Sequence, residues 1–236
     1  VTTVVLVHGW GYDAGVWDAV RTRLAPALRV ATLDWGFFGA PVTVPPAPTS
    51  PQGAGRHAVA VPSMARDSAQ PNTFPEPVIA VGHSLGALWW LAQADIPWRR
   101  LLCINGFPCF TEAADYAPAV APRLLARMQA QFARDPAAVL ADFHARCGGH
   151  APAGAPEVER LAAGLAALAT WDGRAALAAR RADVFALAGT DDPIVPAAMS
   201  AMAFAGGHLA TVDAPGHLLP LTHAELCAQW IERLAA

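Results

Sequence analysis

The chain has 236 residues, 54% of them hydrophobic, and a formal net charge of −3. That is enough apolar material for one large domain with a buried core, and a weakly acidic chain has no global positive field to draw in nucleic acid. Cys103, Cys109, Cys147 and Cys227 are scattered and form no CxxC pair, which fits a reduced cytosolic setting better than a disulfide scaffold.

Taken in order, residues 3–7 (TVVLV) read as a strand buried on both faces, with no signal peptide legible at Val1. His8-Gly9-Trp10-Gly11 is a turn. The spacing predicts a helix over 13–27 with Asp13 as its N-cap, then a strand over 29–33 ending at Asp34. Residues 41–77 hold nine prolines, which remove backbone donors and fix φ, so this stretch is expected to be mostly loop, with a short helix near 63–69. A strand over 78–81 and a helix over 85–93 follow, then a strand over 100–104. Helices over 119–133, 136–146 and 156–169 interrupt the alternation. Strands return at 184–188 and 209–212, and a helix over 222–234 closes the chain.

Strands alternating with helices imply βαβ crossovers and a mostly parallel sheet with helices on both faces. The expected organisation is a core of residues 1–106 and 171–236, with residues 107–170 inserted as a helical cap, or lid. The uncharged run 77–94 is 18 residues, the lower edge for a membrane span. Its first ten residues carry Gly82, His83, Ser84 and Gly86, which hydrocarbon would penalise, so a membrane span is rejected.

Those residues make a different pattern. Gly82-x-Ser84-x-Gly86 between a strand and a helix is a nucleophile elbow. The glycines let strand and helix approach, and the tight turn lifts the serine oxygen to the carboxyl end of the strand. The helix N-terminus there favours negative charge, and the Leu85 backbone N–H can face a developing oxyanion.

A serine hydroxyl needs a base, and the base needs a carboxylate to fix its tautomer. On such a fold the chain order is Ser, acid, His. His217 alone among eight histidines follows a late strand in a Gly-containing loop. His8 reads as a brace in the first turn, and His223 as a capping or packing residue at the last helix. For the acid, Asp192 is favoured over its neighbour Asp191, and Asp213 is a weaker rival because it lies so near the histidine. The Trp10 backbone N–H, in the turn after the first strand, is the candidate second oxyanion donor, with the Trp10 side chain walling an acyl pocket.

These residues resemble those of the α/β-hydrolase superfamily, and the chain looks like a capped member. It is further similar to the pimeloyl-acyl-carrier-protein methyl ester esterases of biotin synthesis. The likeness lies in Leu6 to Gly11 with Val16-Trp17, the Ser84-Leu85-Gly86 elbow and Pro108-Cys109-Phe110. Gly164-Leu165 with Asp172, the Asp192–Pro196 turn and the stretch from His217 to Cys227 also match. The resemblance implies Ser84 as nucleophile, Asp192 as acid, His217 as base, Trp10 and Leu85 as oxyanion donors, and Phe107 and Phe110 lining a tunnel under the cap. It implies no metal or organic cofactor. One departure concerns the entrance: where that group often carries a Gly-Phe-Gly-Arg-Ser type loop, this chain has Asp34-Trp35-Gly36-Phe37-Phe38-Gly39-Ala40-Pro41.

Arg123, Arg127, Arg134 and Arg146 cluster on two predicted cap helices, a solvated face or a docking site for an acidic acyl carrier protein. His144-x-x-Cys147-x-x-His150 lacks a fourth ligand for structural zinc and reads instead as a helix end stopped by Gly148. The resulting expectation is a cytosolic serine carboxylesterase. Its rivals are a thioesterase, lactonase or carbon–carbon bond hydrolase with the same triad, and a hydrolase-fold protein that binds without turnover. Dehalogenases and epoxide hydrolases carry Asp where this chain has Ser84.

Overall fold

The computed structural model describes residues 2–39, 43–44, 77–92 and 97–236. In chain order the elements are β1 (Thr3–Val7), a 3-10 turn (Ala14–Trp17), α1 (Asp18–Arg21), β2 (Arg29–Leu33), β3 (Thr43–Val44), β4 (Val78–His83), α2 (Leu85–Ala92) and β5 (Trp98–Ile104). Then come α3 (Pro122–Phe132), α4 (Pro136–Cys147), α5 (Val158–Thr170), α6 (Arg174–Ala179), β6 (Val184–Asp191), α7 (Ala197–Ala203), β7 (His208–Pro215), α8 (Leu219–Thr222) and α9 (Ala224–Ala235).

The strands form one sheet in the order β3-β2-β1-β4-β5-β6-β7. All pairings are parallel except β2 with the short β3. β4 is buried along its whole length and β1 nearly so, as strands covered by helices on both faces must be. The chain leaves β1 toward β2 on one side and returns to β4 on the other, which makes the β1–β4 boundary the switch point where such sheets open a crevice.

The register levels the carboxyl ends. Val7 pairs with Gly82, His83 with Ile104, and Ile104 with Leu187. The residues that follow these ends, His8, Ser84 and Asn105, therefore emerge on one rim. β6 runs on to Asp191 and β7 to Pro215, carrying Asp192 and His217 to the same rim.

The stretch around Ser84 is thus a six-residue strand and an eight-residue helix. From Leu85 to Leu91 that helix is wholly buried. Among the described residues no helix is long and apolar enough to cross a membrane.

Several boundaries differ from the sequence reading. The expected helix over 13–27 is only a 3-10 turn and one α-turn, because Asp13 and Asp34 hold the backbone of Gly15 and Ala14, and the chain then tightens into i→i−3 bonds before Pro26. The closing helix is broken at His223, whose backbone leaves the helical region. His223 stands at the N-cap position of α9, but its side chain caps nothing and bonds Thr222 Oγ1 instead. β4, β5, β6 and β7 all extend beyond the expected strands, and α6 and α7 have no counterpart among the expected elements. Within the proline-rich segment, Thr43–Val44 forms β3; the helix expected near 63–69 lies outside the described residues.

Four helices, α3 to α6, lie between β5 and β6, and the first three fall within residues 107–170. Each of α3 and α4 begins with a proline in its first turn, where the missing N–H costs nothing, and Asp135 caps α4 by accepting from the Ala138 N–H at 3.0 Å.

Candidate active site

Ser84 sits between β4 and α2 at φ 54°. Its N–H extends the β4–β5 ladder to the Ile104 carbonyl at 3.1 Å, and its carbonyl accepts from Ala87 N at 2.9 Å. A Cβ at Gly82 would run into the backbone of Ala87, and one at Gly86 into the carbonyl of Val7. The two glycines are there for contact between backbones.

The turn after β1 passes directly over the elbow. A Cβ on Gly9 would lie 2.9 Å from Ser84 Cβ. Among the described residues, neither the Trp10 nor the Leu85 backbone N–H has an acceptor. The Trp10 indole is buried. Its Nε1–H donates to Leu161 O of α5 at 2.8 Å, and its ring packs against Phe132 and Phe143 at 5.9 and 4.8 Å.

Asp192 is 5% exposed, and its carboxylate accepts four hydrogen bonds. Oδ1 takes the N–H groups of Ile194 and Val195 at 2.8 and 2.9 Å. Oδ2 takes Asn105 Nδ2–H and His217 Nδ1–H, both at 2.7 Å. Burial alone would raise the Asp192 pKa, but His217 and the two backbone donors outweigh it and hold the carboxyl below its ordinary value. Asp191 and Asp213 are exposed and do not touch His217, so the structure separates the three candidates left by the sequence.

His217 is 1% exposed. Its backbone is held at both ends: the N–H donates to Cys147 O at 3.1 Å, and the carbonyl accepts from His83 Nε2–H at 2.7 Å. With Nδ1 bound to Asp192, Nε2 is the free nitrogen. It is buried and has no hydrogen-bond partner among the described residues, Ser84 Oγ included. The ring of His83, the residue before Ser84, is 4.9 Å from that of His217. Burial, with help from His217, pushes the His83 pKa down to about 3, so it stays neutral and serves as a fixed donor.

An unpartnered imidazole nitrogen beside a serine elbow, with a carboxylate behind it, is an arrangement that can take a proton from a hydroxyl. Such catalytic hydrogen bonds are often unmade without substrate.

His8 braces the first loop. Its Nδ1–H donates to Gly9 O at 2.9 Å, and its Nε2 accepts from Trp35 N–H at 3.1 Å. Phe107 is fully buried, ring to ring with Phe110 at 4.9 Å. Phe110 lines a groove of about 990 Å3 between α3, α4 and the turn after β6; Phe107 does not. Arg127, Arg134 and Arg146 line this groove too, with Asp135 and Asp142, while Arg123 is exposed outside it. Neither Ser84 nor His217 lines the groove, although Pro193 and Ile194 beside Asp192 do.

In the His144–Cys147–His150 run, His144 and Cys147 are buried and His150 is exposed. Among the described residues no three His, Cys, Asp or Glu side chains are grouped to hold a metal, and all four cysteines are free.

Asn105 was missed in the sequence. A polar residue following a buried strand was the available signal. The contribution of His83 was missed too, because the position before the serine carries no pattern of its own.

A family model described as the alpha/beta hydrolase family matches residues 4–230. The chain is 32% identical over 258 aligned residues to a pimeloyl-[acyl-carrier protein] methyl ester esterase of Aromatoleum aromaticum, covering 97% of this chain and 96% of that protein. It is 31% identical over 259 residues to a protein of the same description from Xanthomonas campestris pv. campestris, covering 99% and 94%. Among solved structures, the esterase EaEST of Exiguobacterium antarcticum matches with a TM-score of 0.73 at 16% identity, over 100% of this chain and 92% of that one. That likeness speaks to the fold.

Proposed function

The chain belongs to the alpha/beta hydrolase family, and from that membership we propose that it is a serine carboxylesterase working through an acyl-enzyme on Ser84. The observation that carries the reading is the Asp192–His217 pair, bonded at 2.7 Å, with His217 Nε2 left free and buried and its ring 4.9 Å from that of His83, the residue before Ser84.

Ser84 Oγ attacks the ester carbonyl while His217 Nε2 takes its proton. Asp192 holds the imidazolium through Nδ1 and remains ionised. The tetrahedral oxyanion is met by the backbone N–H groups of Trp10 and Leu85, each such donor being worth about 2.7–4 kcal/mol in the transition state. Collapse expels the alcohol, which receives the proton from His217. Water, deprotonated by the same nitrogen, then hydrolyses the acyl-serine and frees the carboxylic acid.

The finer reading is a methyl ester of an acyl chain carried on acyl carrier protein, the substrate named in the description of both relatives. Residues 107–170 act as the cap over the site, with Trp10, Phe107 and Phe110 as its apolar walls. The groove between α3 and α4 supports carrier docking: its lining includes Leu124, Met128 and Val139, and its three arginines outnumber its two aspartates, which suits an acidic partner. Arg123 would extend that face from outside the groove.

The test compares turnover of methyl-ester acyl carriers with that of free methyl esters. Ser84→Ala is expected to abolish hydrolysis of both while leaving the fold intact, and retained turnover would refute the serine assignment. A carrier preference that fades with added salt is expected. Equal rates on both substrates would refute the carrier reading alone.

A further inference from the structure

We propose that the last turn of α4 positions the reaction loops of this site, and that His144 is the positioning residue for the oxyanion loop. The inference rests on the serine-esterase reading above.

Three of four consecutive residues reach three separate loops. His144 Nε2–H donates to Gly11 O at 2.6 Å, across 133 positions of sequence. Arg146 Nη2–H donates to Pro193 O at 3.1 Å, in the turn that holds Asp192. The Cys147 carbonyl accepts the His217 N–H at 3.1 Å. One helix end thus bonds to the loops of the oxyanion donor, the acid and the base.

The helix terminus explains why these groups are free to do so. Carbonyls in the last turn of a helix have no intrahelical partner. Gly148 adopts a left-handed conformation at φ 77° and turns its own N–H to Ala145 O, while Gly149 N–H goes to His144 O. Cys147 O is left pointing outward, and the base loop supplies its donor. The approach is close: a Cβ on Gly216 would lie 2.7 Å from Cys147 O.

His144 has a comparable reason to act. It is 6% exposed, its ring is 5.0 Å from that of Tyr12, and its one hydrogen bond fixes the Gly11 carbonyl. Gly11, at φ 73°, takes a left-handed conformation that glycine adopts without steric cost. His8 bonds the Gly9 carbonyl, in the same peptide unit as the Trp10 N–H; with the Trp10 indole bonded to α5 and the Gly11 carbonyl to α4 on the other side, the donor is held from both sides. Preorganised direction is what makes an oxyanion donor effective.

The test uses the full chain and a p-nitrophenyl acetate assay, which needs no carrier. His144→Gln keeps an N–H at similar reach; His144→Asn keeps an amide but falls about one bond short. Deleting one oxyanion donor outright costs about 100- to 1,000-fold in kcat, so a misdirected donor in His144→Asn is expected to cost about 10- to 100-fold. KM should stay within about threefold, and His144→Gln should recover to within about fivefold of wild type.

Equal kcat in the Asn and Gln variants would overturn the proposal, and so would a KM effect without a kcat effect. Should His144→Asn not fold, exposed Arg146→Ala carries the test, with a kcat loss of about 3-fold expected and an unchanged kcat refuting the shared role of the turn. Ser84→Ala runs beside each variant. Activity lost there but intact in His144→Asn overturns this inference alone; activity retained in Ser84→Ala overturns the esterase reading beneath it.

Discussion

Replacing Asp192 by Asn separates the catalytic task proposed for the carboxylate from its structural one. In the wild type all four donors around it find an oxygen. An amide presents one oxygen and one NH2. With the oxygen toward Ile194 and Val195, the NH2 faces two further donors, Asn105 Nδ2–H and His217 Nδ1–H. Asn105 can relieve the first by turning over, since its Oδ1 is buried without a partner and would then accept. His217 can relieve the second only by moving its proton to Nε2, so that Nδ1 accepts. That tautomer has no basic nitrogen for Ser84. The expected loss in kcat is therefore about 10,000-fold, the scale of an Asp→Asn change in a triad. The stability loss should be smaller than the roughly 3–5 kcal/mol of breaking a buried ion pair outright, about 2–3 kcal/mol, because both clashes have a rearrangement open to them. At this chain length that is roughly 4–12 °C in Tm. The assays are p-nitrophenyl acetate turnover and calorimetry, with exposed Asp191→Asn as control. A loss under tenfold, or an equal loss in the control, would refute the assignment of the acid.

Two further outcomes test the local physics. Gly86→Ala drives a methyl group into the Val7 carbonyl, a backbone atom that cannot step aside, so a loss of about 3 kcal/mol, or roughly 6–12 °C in Tm, is expected; a shift under about 2 °C would count against the elbow packing. His83 stays neutral in the fold down to about pH 3 but binds a proton near pH 6.5 once unfolded. Its depressed pKa makes stability full above pH 6.5 and lost as pH falls toward 3, by about 2 kcal/mol at pH 5. Urea melts at pH 7.5 and 5 should show a smaller acid loss in His83→Gln than in wild type, and identical losses would refute the buried neutral imidazole.

The strands that frame the site were legible because each is a short apolar run with a turn residue after it. β1 and β2 fall on the residues the pattern selects, and β4 and β6 were underestimated only where polar residues continue the ladder toward the rim. The chain order of Ser84, Asp192 and His217 was legible for the same reason: each follows a strand. What the sequence hid is contact between distant segments. Nothing local to Asn105 announces a bond to Asp192, and nothing in a His-x-x-Cys-x-x-His run announces that His144 faces Gly11. The break at His223 was hidden because Leu219 to Ala235 has helical periodicity throughout, and only the backbone shows the kink.

The two non-glycine residues at positive φ among those described are Ser84 and Asn105, and they follow the neighbouring strands β4 and β5. Each such conformation costs about 1–3 kcal/mol and persists only where the surroundings over-determine it. Here the same device holds both. Ser84 N–H bonds Ile104 O, and Asn105 N–H bonds Leu187 O at 2.8 Å, so each strained residue is stitched to the next strand as though the ladder continued. The strain turns the two side chains out at the rim, one as a hydroxyl and one as the donor that fixes Asp192. The parallel sheet supplies the rigidity, and the cost is localised at the two positions where an ordinary strand end would have pointed the side chain elsewhere.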